Sequence, residues 1–319
     1  MSSRPSARQP NFFLVGASRS GTTSLWRYLM QHPDVYLPSA DMSAKEPSYF
    51  CDDRPVWAAR FSTWERYLEL FAPATTEHAI GEASTPYLVS PESPGRIRAT
   101  YPDARVLIVL RNPADRAFSL YRYLCLLGVE SVPTFERALA IEDARTLDEA
   151  FRTRNPFWYP AYLYFRTGLY SAQVRRYLET FPGDQVHVML HDDLERDPVG
   201  ESQAVYRFLG VDPGFTPDAV RYNESAAPFS VVVQHWLGRD WDNHPMHPGQ
   251  DASPWGRLRR RAYQANVRAG RWRRMRLDPG TRTSLLERYR EDIAATADLL
   301  GRPLDHWLAP RRQEGHRSA

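Results

Sequence analysis

The segment that most constrains the fold is a short apolar run, "NFFLV" at residues 11–15, followed by "GASRSGTTS" from Gly16 to Ser24 and then by "LWRYLMQH". A buried strand passing through a glycine-bounded turn into a helix, with Leu25, Tyr28 and Leu29 on one helical face, makes a strand–loop–helix unit. Such a turn is an anion site, because the first N–H groups of the helix have no partner and its dipole points at the ligand. Gly16 and Gly21 match the glycine spacing of a nucleoside triphosphate loop, but Thr22 stands where the lysine of that loop belongs. Thr22 and Thr23 can give hydroxyls to one phosphate while Arg19 forks over a terminal anionic group. The loop thus suits one phosphate carrying a small anionic leaving unit better than a triphosphate with magnesium.

Further along, "ARVLIVLRNP" is a continuous apolar run ending at Arg111 and Pro113, the pattern of a parallel strand covered on both faces. Ser119 follows eight residues after Arg111, on the helix expected over "PADRAFSLYRYLCLL". An arginine at a strand's carboxyl end and a hydroxyl two turns into the next helix can clamp a second phosphate beside the first. Two phosphate sites on one crevice fit a nucleotide phosphorylated at both ends of its ribose.

Strands expected at 11–15, in "HAIGEAST", in "ARVLIVL" and in "QVHVML" alternate with helices over 21–30, "WERYLELF", "SPGRIRATYP", "YSAQVRRYLETF" and "SQAVYRFLGV". That alternation predicts an α/β fold, a P-loop-like central parallel sheet flanked by helices, with helical and loop insertions forming an acceptor site. Residues 134–166 read as helical, the chain from Asn223 as irregular, and 281–300 as a last amphipathic helix. We expect a flexible N-terminus at 1–10, one domain over 11–308 with a lid or basic insertion at 238–280, and a flexible tail at 309–319.

The chain of 319 residues is 42% apolar, enough for a sizeable core, and its net charge is only +3. It has no unbroken apolar run of about 18 residues, and "MSSRPSARQP" lacks the apolar centre of a signal peptide, so a cytoplasmic location is expected. Cys51 and Cys125 sit in no metal-ligand spacing and are read as thiols, and no metal is expected. His235, His244 and His247 with Asp240 and Asp242 match no zinc pattern and read as a lid lining the acceptor pocket. Of 41 basic residues all but Lys45 are arginine. Either chance preserved it, or the position needs a flexible point charge that a planar fork cannot supply. From Arg257 to Arg276 nine arginines run without an acidic residue, interleaved with Tyr263 and Trp272. A solvated helical face and an anionic partner surface both fit this run, and nucleic acid is not expected. "FWYPAYLYF" at 157–165 reads either as core or as an apolar or sugar-stacking wall.

"FLVGASRSGTTSL" resembles the 5′-phosphosulfate loop, and "VLIVLRNPADRAFSLY" the 3′-phosphate segment, of sulfotransferases that use 3′-phosphoadenosine 5′-phosphosulfate. The resemblance extends through "KEPSYF", "GEASTPYL", "GLYSAQVRRYLETFPGDQVHVMLHDDLERDP" and "LLERYREDIAATADLLGRPLDHWL", from about Asn11 to Leu308, and is strongest to bacterial and heparan sulfate 3-O- and N-sulfotransferases. It implies that Ser18, Arg19, Ser20, Gly21, Thr22, Thr23 and Ser24 hold the phosphosulfate, that Arg111 and Ser119 hold the 3′-phosphate, and that Asn223 and Ser225 of "RYNESAAPFS" lie against the nucleotide's 3′ side. It implies further that Glu46 is the base that takes the acceptor's proton; Arg19 and Lys45 beside it are further catalytic candidates, Lys45 to neutralise the departing phosphate or to hold an acidic acceptor. The donor would be 3′-phosphoadenosine 5′-phosphosulfate, the product adenosine 3′,5′-bisphosphate, and the acceptor a hydroxyl of a small molecule, lipid or carbohydrate. A peripheral membrane contact through 257–276 is compatible with a lipid acceptor.

Departures from the family pattern fall around the acceptor. Ser48 stands where relatives often have a histidine, Ser84 where the heparan sulfate enzymes carry a lysine, and Phe229 where many have arginine. Glu82 assists the base, holds the acceptor or is structural. The competing readings are a P-loop-type nucleotide kinase and a non-catalytic protein binding anions or nucleic acid.

Overall fold

The computed structural model describes residues 8–39, 42–53, 55–154, 157–220, 227–239, 244, 253–270 and 275–310. Five parallel strands, β1 (Phe12–Gly16), β2 (Val35–Tyr36), β3 (Ala79–Glu82), β4 (Arg105–Leu110) and β5 (Val186–Leu190), form one sheet in the order β2-β3-β1-β4-β5. Fourteen α-helices connect or follow them among the described residues: α1 (Thr22–Leu29), α2 (Met42–Lys45), α3 (Trp64–Glu69), α4 (Ser93–Thr100), α5 (Pro113–Leu127), α6 (Phe135–Ala140), α7 (Glu142–Leu147), α8 (Glu149–Arg154), α9 (Tyr170–Thr180), α10 (His191–Arg196), α11 (Pro198–Leu209), α12 (Val231–Gly238), α13 (Pro254–Gly270) and α14 (Pro279–Leu300).

Side chains of β1 and β4 alternate between the two faces of the sheet, as the strand period demands. Phe13, Val15, Val106, Ile108 and Leu110 enter the larger core with residues of α4, α5, α9 and α14. Phe12, Leu14, Leu107 and Val109 enter the smaller one with Leu25 and Leu29 of α1 and Val205 and Leu209 of α11. An unbroken apolar run is therefore the right sequence for β4: every residue from Val106 to Leu110 is fully buried. Truncating one of them to alanine removes about 2–5 kcal/mol of stability.

β1 lies centrally, with β3 on one side and β4 on the other, so the chain reverses direction across the sheet at its carboxyl edge. The crevice that opens there is the usual ligand position in such sheets. α5 is fixed beside it by capping. The Asn112 side chain accepts from Ala114 N–H at 3.1 Å and Asp115 N–H at 3.2 Å, and its Nδ2 donates to the Trp307 carbonyl at 2.8 Å. Trp307 in turn donates through Nε1 to Asp192 at 3.0 Å, tying the C-terminal turn to the end of β5.

Three expectations change. Residues 134–166 are not one helical stretch: α6, α7 and α8 end at Ala140, Leu147 and Arg154, and a 3₁₀ turn over Tyr159–Tyr162 that contains Pro160 follows them. Beyond Asn223, where the sequence reads as irregular, α12 and α13 form and pack on each other through Asn266, whose side chain donates to Gln234 at 2.7 Å and to the Ser230 carbonyl at 2.9 Å. β2 escaped notice because two residues carry no periodicity. The "FWYPAYLYF" segment is core: Phe157, Trp158, Tyr162 and Tyr164 are all buried.

Candidate active site

The loop between β1 and α1 is pinned to β4 by Ala17 N–H donating to the Val109 carbonyl at 2.8 Å. Gly16 has φ 153°, and a Cβ there would lie 2.6 Å from Leu88 Cβ. Gly21 caps α1 at φ 90°, and a Cβ there would meet His191 Cδ2 at 2.8 Å. Gly21, as the N-cap, brings no side chain to this helix start, which lies at the sheet's carboxyl edge where a helix N-terminus favours an anion. Ser18, Arg19, Ser20 and Gly21 form the loop, with Thr22, Thr23 and Ser24 in the first turn.

Arg19 joins the two expected phosphate sites. Its backbone sits at φ 68°, a conformation costing a non-glycine residue about 1–2 kcal/mol. The turn is held by Ser20 N–H donating to the Ala17 carbonyl at 3.2 Å and by Arg111 donating to the Arg19 carbonyl at 3.1 Å. The Arg19 side chain donates through Nε to Ser119 Oγ at 3.3 Å, and its guanidinium lies 4.7 Å above the ring of Tyr123. Burial lowers its proton affinity from the ordinary value, the Tyr123 hydroxyl opposes that, and Arg111 and Arg122 add to the lowering. A guanidinium stays charged under such pressure, so the crevice concentrates positive charge where anionic groups would bind.

Ser119 and Tyr123 are four residues apart on α5 and share its inward face. Tyr170, at the start of α9, donates to the Arg111 carbonyl at 2.9 Å. The start of α9 is itself held by Asp292 of α14, which accepts from Tyr170 N–H at 2.7 Å and Ser171 N–H at 3.1 Å.

The acidic residue of the crevice is Glu46, directly after α2. One carboxylate oxygen lies 2.9 Å from Lys45 Nζ and the other accepts from Thr85 Oγ1 at 2.9 Å. The Lys45 side chain is fully buried while Glu46 keeps 15% of its side-chain surface. Glu46 also interacts electrostatically with Arg19 and Tyr123, which places its charge on the same crevice as the loop. Ala83 N–H donates to the Lys45 carbonyl at 3.2 Å, so the end of β3 holds this turn.

Behind Glu46 lies a second carboxylate. Glu82, fully buried, accepts from Tyr67 and Tyr87 hydroxyls, each at 2.8 Å, and from Ser84 Oγ at 2.5 Å. Ser84 Oγ accepts in turn from Ser48 N–H at 2.9 Å. Ser48 and Ser84 therefore contact one another. Burial raises the Glu82 carboxyl to about 7, against the lowering effect of its three hydroxyl donors, and Glu46 adds to the rise.

A model of the Sulfotransferase family matches residues 10–217, which include the loop, Glu46, Arg111 and Ser119. The chain belongs to the sulfotransferase family. Heparan sulfate glucosamine 3-O-sulfotransferase 6 of Mus musculus is 32% identical over 208 residues, 64% of this chain and 53% of that protein. Bifunctional heparan sulfate N-deacetylase/N-sulfotransferase 3 of Homo sapiens is 26% identical over 321 residues, 96% of this chain and 32% of that protein. A solved sulfotransferase from Alicyclobacillus acidocaldarius superposes with a TM-score of 0.70 at 32% identity, over 95% of this chain and all of that one. The chain thus spans about half the length of the 3-O-sulfotransferase and a third of the bifunctional protein.

Within this sulfotransferase-family site, Asn223 and Ser225 lie outside the described residues, as do His247, Asp240 and Asp242. The rings of His235 and His244 bond the carbonyls of Gly128 at 2.8 Å and Leu127 at 2.6 Å, fastening the α12 region to the end of α5. Phe229 is 53% exposed. Sequence reading missed Thr85, Tyr123, Tyr170 and His191. Tyr123 carried a usable signal, one helical turn beyond Ser119, and His191 follows directly on β5 at the carboxyl edge. Among the described residues no helix is long and apolar enough to cross a membrane.

Proposed function

We propose that the chain is a sulfotransferase that moves the sulfuryl group of 3′-phosphoadenosine 5′-phosphosulfate to a hydroxyl of a glycan, glycolipid or other small acceptor. The observation that carries this reading is Arg19, which reaches Ser119 with its side chain and Arg111 with its carbonyl while sharing the crevice with Glu46. One residue thus joins an anion loop, a second phosphate clamp and a base. A kinase reading lacks its lysine, since Thr22 occupies that place.

In such a transfer the bond from sulfur to the donor's phosphate oxygen breaks as the bond to the acceptor oxygen forms, and the acceptor's proton passes to Glu46. The product is adenosine 3′,5′-bisphosphate. Arg19 and the N–H groups at the start of α1, with Ser18, Ser20, Gly21, Thr22, Thr23 and Ser24 around them, hold and neutralise the phosphosulfate; Arg111 and Ser119 hold the 3′-phosphate. Asn223 and Ser225 remain assigned to the nucleotide's 3′ side. Lys45, buried against Glu46, orients its carboxylate. A lysine fits here because its single point charge meets one oxygen and leaves the other to Thr85.

The test is transfer of labelled sulfate from that donor onto a panel of glycan and lipid hydroxyls, with Glu46→Gln alongside. Wild type should label an acceptor; Glu46→Gln should bind the bisphosphate normally and lose about 10²–10⁴-fold in turnover. Full turnover by Glu46→Gln would remove it as the base.

A further inference from the structure

Glu82 is a buried acid that the transfer itself does not use. Around it among the described residues stand Tyr67 of α3, Tyr87 and Ser84 of the turn after β3, Tyr101 at the end of α4, Tyr177 of α9, and Glu46 across the turn. Lys45, on the turn that Ala83 N–H holds, spends its Nζ on Glu46. No basic side chain is bonded to Glu82 among the described residues, whereas three hydroxyls donate to it.

We propose that Glu82 is a positioning residue for the base, acting through Ser84 to hold the Glu46–Ser48 turn and acting by its own charge to favour proton uptake at Glu46. The inference rests on Glu46 being the base.

Direction of donation supports the first part. A carboxylate only accepts, so an ionised Glu82 accepts a hydrogen bond from the Ser84 hydroxyl and leaves the Ser84 oxygen free to accept Ser48 N–H. The chain of bonds then runs one way, from backbone to serine to acid. A protonated Glu82 adds a fourth donor to a cluster already holding three, and one of them must turn away. Ser48, at φ 50°, is the residue that this bond anchors, two positions from Glu46. Ser48 and Ser84, both fully buried, are small enough for this link.

The second part is electrostatic. Two carboxylates in a low-dielectric site repel, and the repulsion disappears when one of them is neutralised. Proton transfer from the acceptor to Glu46 neutralises it, so a charged Glu82 favours that step. The Glu82 carboxyl, raised to about 7, ionises in the range where such an effect is visible.

The experiment is the pH dependence of donor turnover with water as acceptor, for wild type, Glu82→Gln, Ser84→Ala and Glu46→Gln. Wild-type kcat should rise through an ionisation near neutrality. Glu82→Gln should lose that ionisation and lower kcat on the order of tenfold, with donor KM unchanged. Ser84→Ala, which keeps the acid and cuts the link, should lower kcat at every pH with donor KM unchanged, and it carries the test if Glu82→Gln does not fold. A Glu82→Gln profile of wild-type shape, or Ser84→Ala with wild-type kcat, overturns the proposal while Glu46→Gln remains inactive. An active Glu46→Gln instead removes the base reading on which the proposal rests.

Discussion

Arg19 Nε donates to Ser119 Oγ at 3.3 Å, a bond between residues one hundred positions apart that joins the first strand–loop–helix unit to α5. It brings the loop cation to the hydroxyl assigned to the second phosphate. Arg19→Lys should therefore be a poor substitute, since a single ammonium cannot both bond Ser119 and stack on Tyr123. We expect Arg19→Lys to weaken adenosine 3′,5′-bisphosphate at least about tenfold by calorimetric titration. Wild-type affinity would show that the fork is not used.

Arg111 offers a separable test of the second phosphate site. Removing a charged donor to a phosphate costs roughly 1.5–3 kcal/mol, so Arg111→Ala should weaken the bisphosphate by about 10- to 150-fold. The same variant should bind a nucleotide lacking the 3′-phosphate almost as well as wild type does. An equal loss for both nucleotides would place Arg111 outside the 3′ site.

Gly21 is constrained by backbone and by space. Gly21→Ala at φ 90° should lower stability by about 1–3 kcal/mol, read as a drop in Tm. Because the added Cβ would lie 2.8 Å from His191 Cδ2, His191→Ala should recover part of that loss but not all of it. Full recovery would mean that the backbone carries no strain.

Much of this was legible before any coordinates. β1, β4 and α5 announce themselves because an apolar run bounded by Gly16, or by Arg111 and Pro113, admits few other conformations. The loop, Arg111 and Ser119 followed from spacing, Glu46 from resemblance, and Lys45 from being the one lysine among 41 basic residues. What stayed hidden are contacts between distant segments. Thr85 reaching Glu46, Tyr170 reaching the Arg111 carbonyl and Ser48 reaching Ser84 depend on how β3, α9 and the α2 turn meet, which no local period encodes. The same limit hid the bonds by which His235 and His244 fasten the α12 region to the end of α5.

Glu82 gives a pH signature in stability alone. Its carboxyl is raised from 4.5 to about 7 in the fold by burial, so its protonated form is favoured there. The contribution is fully present below about pH 4.5 and is lost as pH rises through 7. Denaturant titrations should show wild type losing on the order of 3 kcal/mol relative to Glu82→Gln between those limits. A pH-independent difference would show that Glu82 ionises as freely as an exposed acid.

The claim that the crevice holds a nucleotide bearing phosphates at both ribose ends is tested most directly by thermal-shift titration with adenosine 3′,5′-bisphosphate against ATP with magnesium. At a hundredfold excess over Kd, a ligand that binds only the folded state adds about 2.7 kcal/mol of stability. The bisphosphate should raise Tm without added metal, and ATP with magnesium should raise it far less. Stabilisation by ATP with magnesium and none by the bisphosphate would contradict the sulfotransferase site outright.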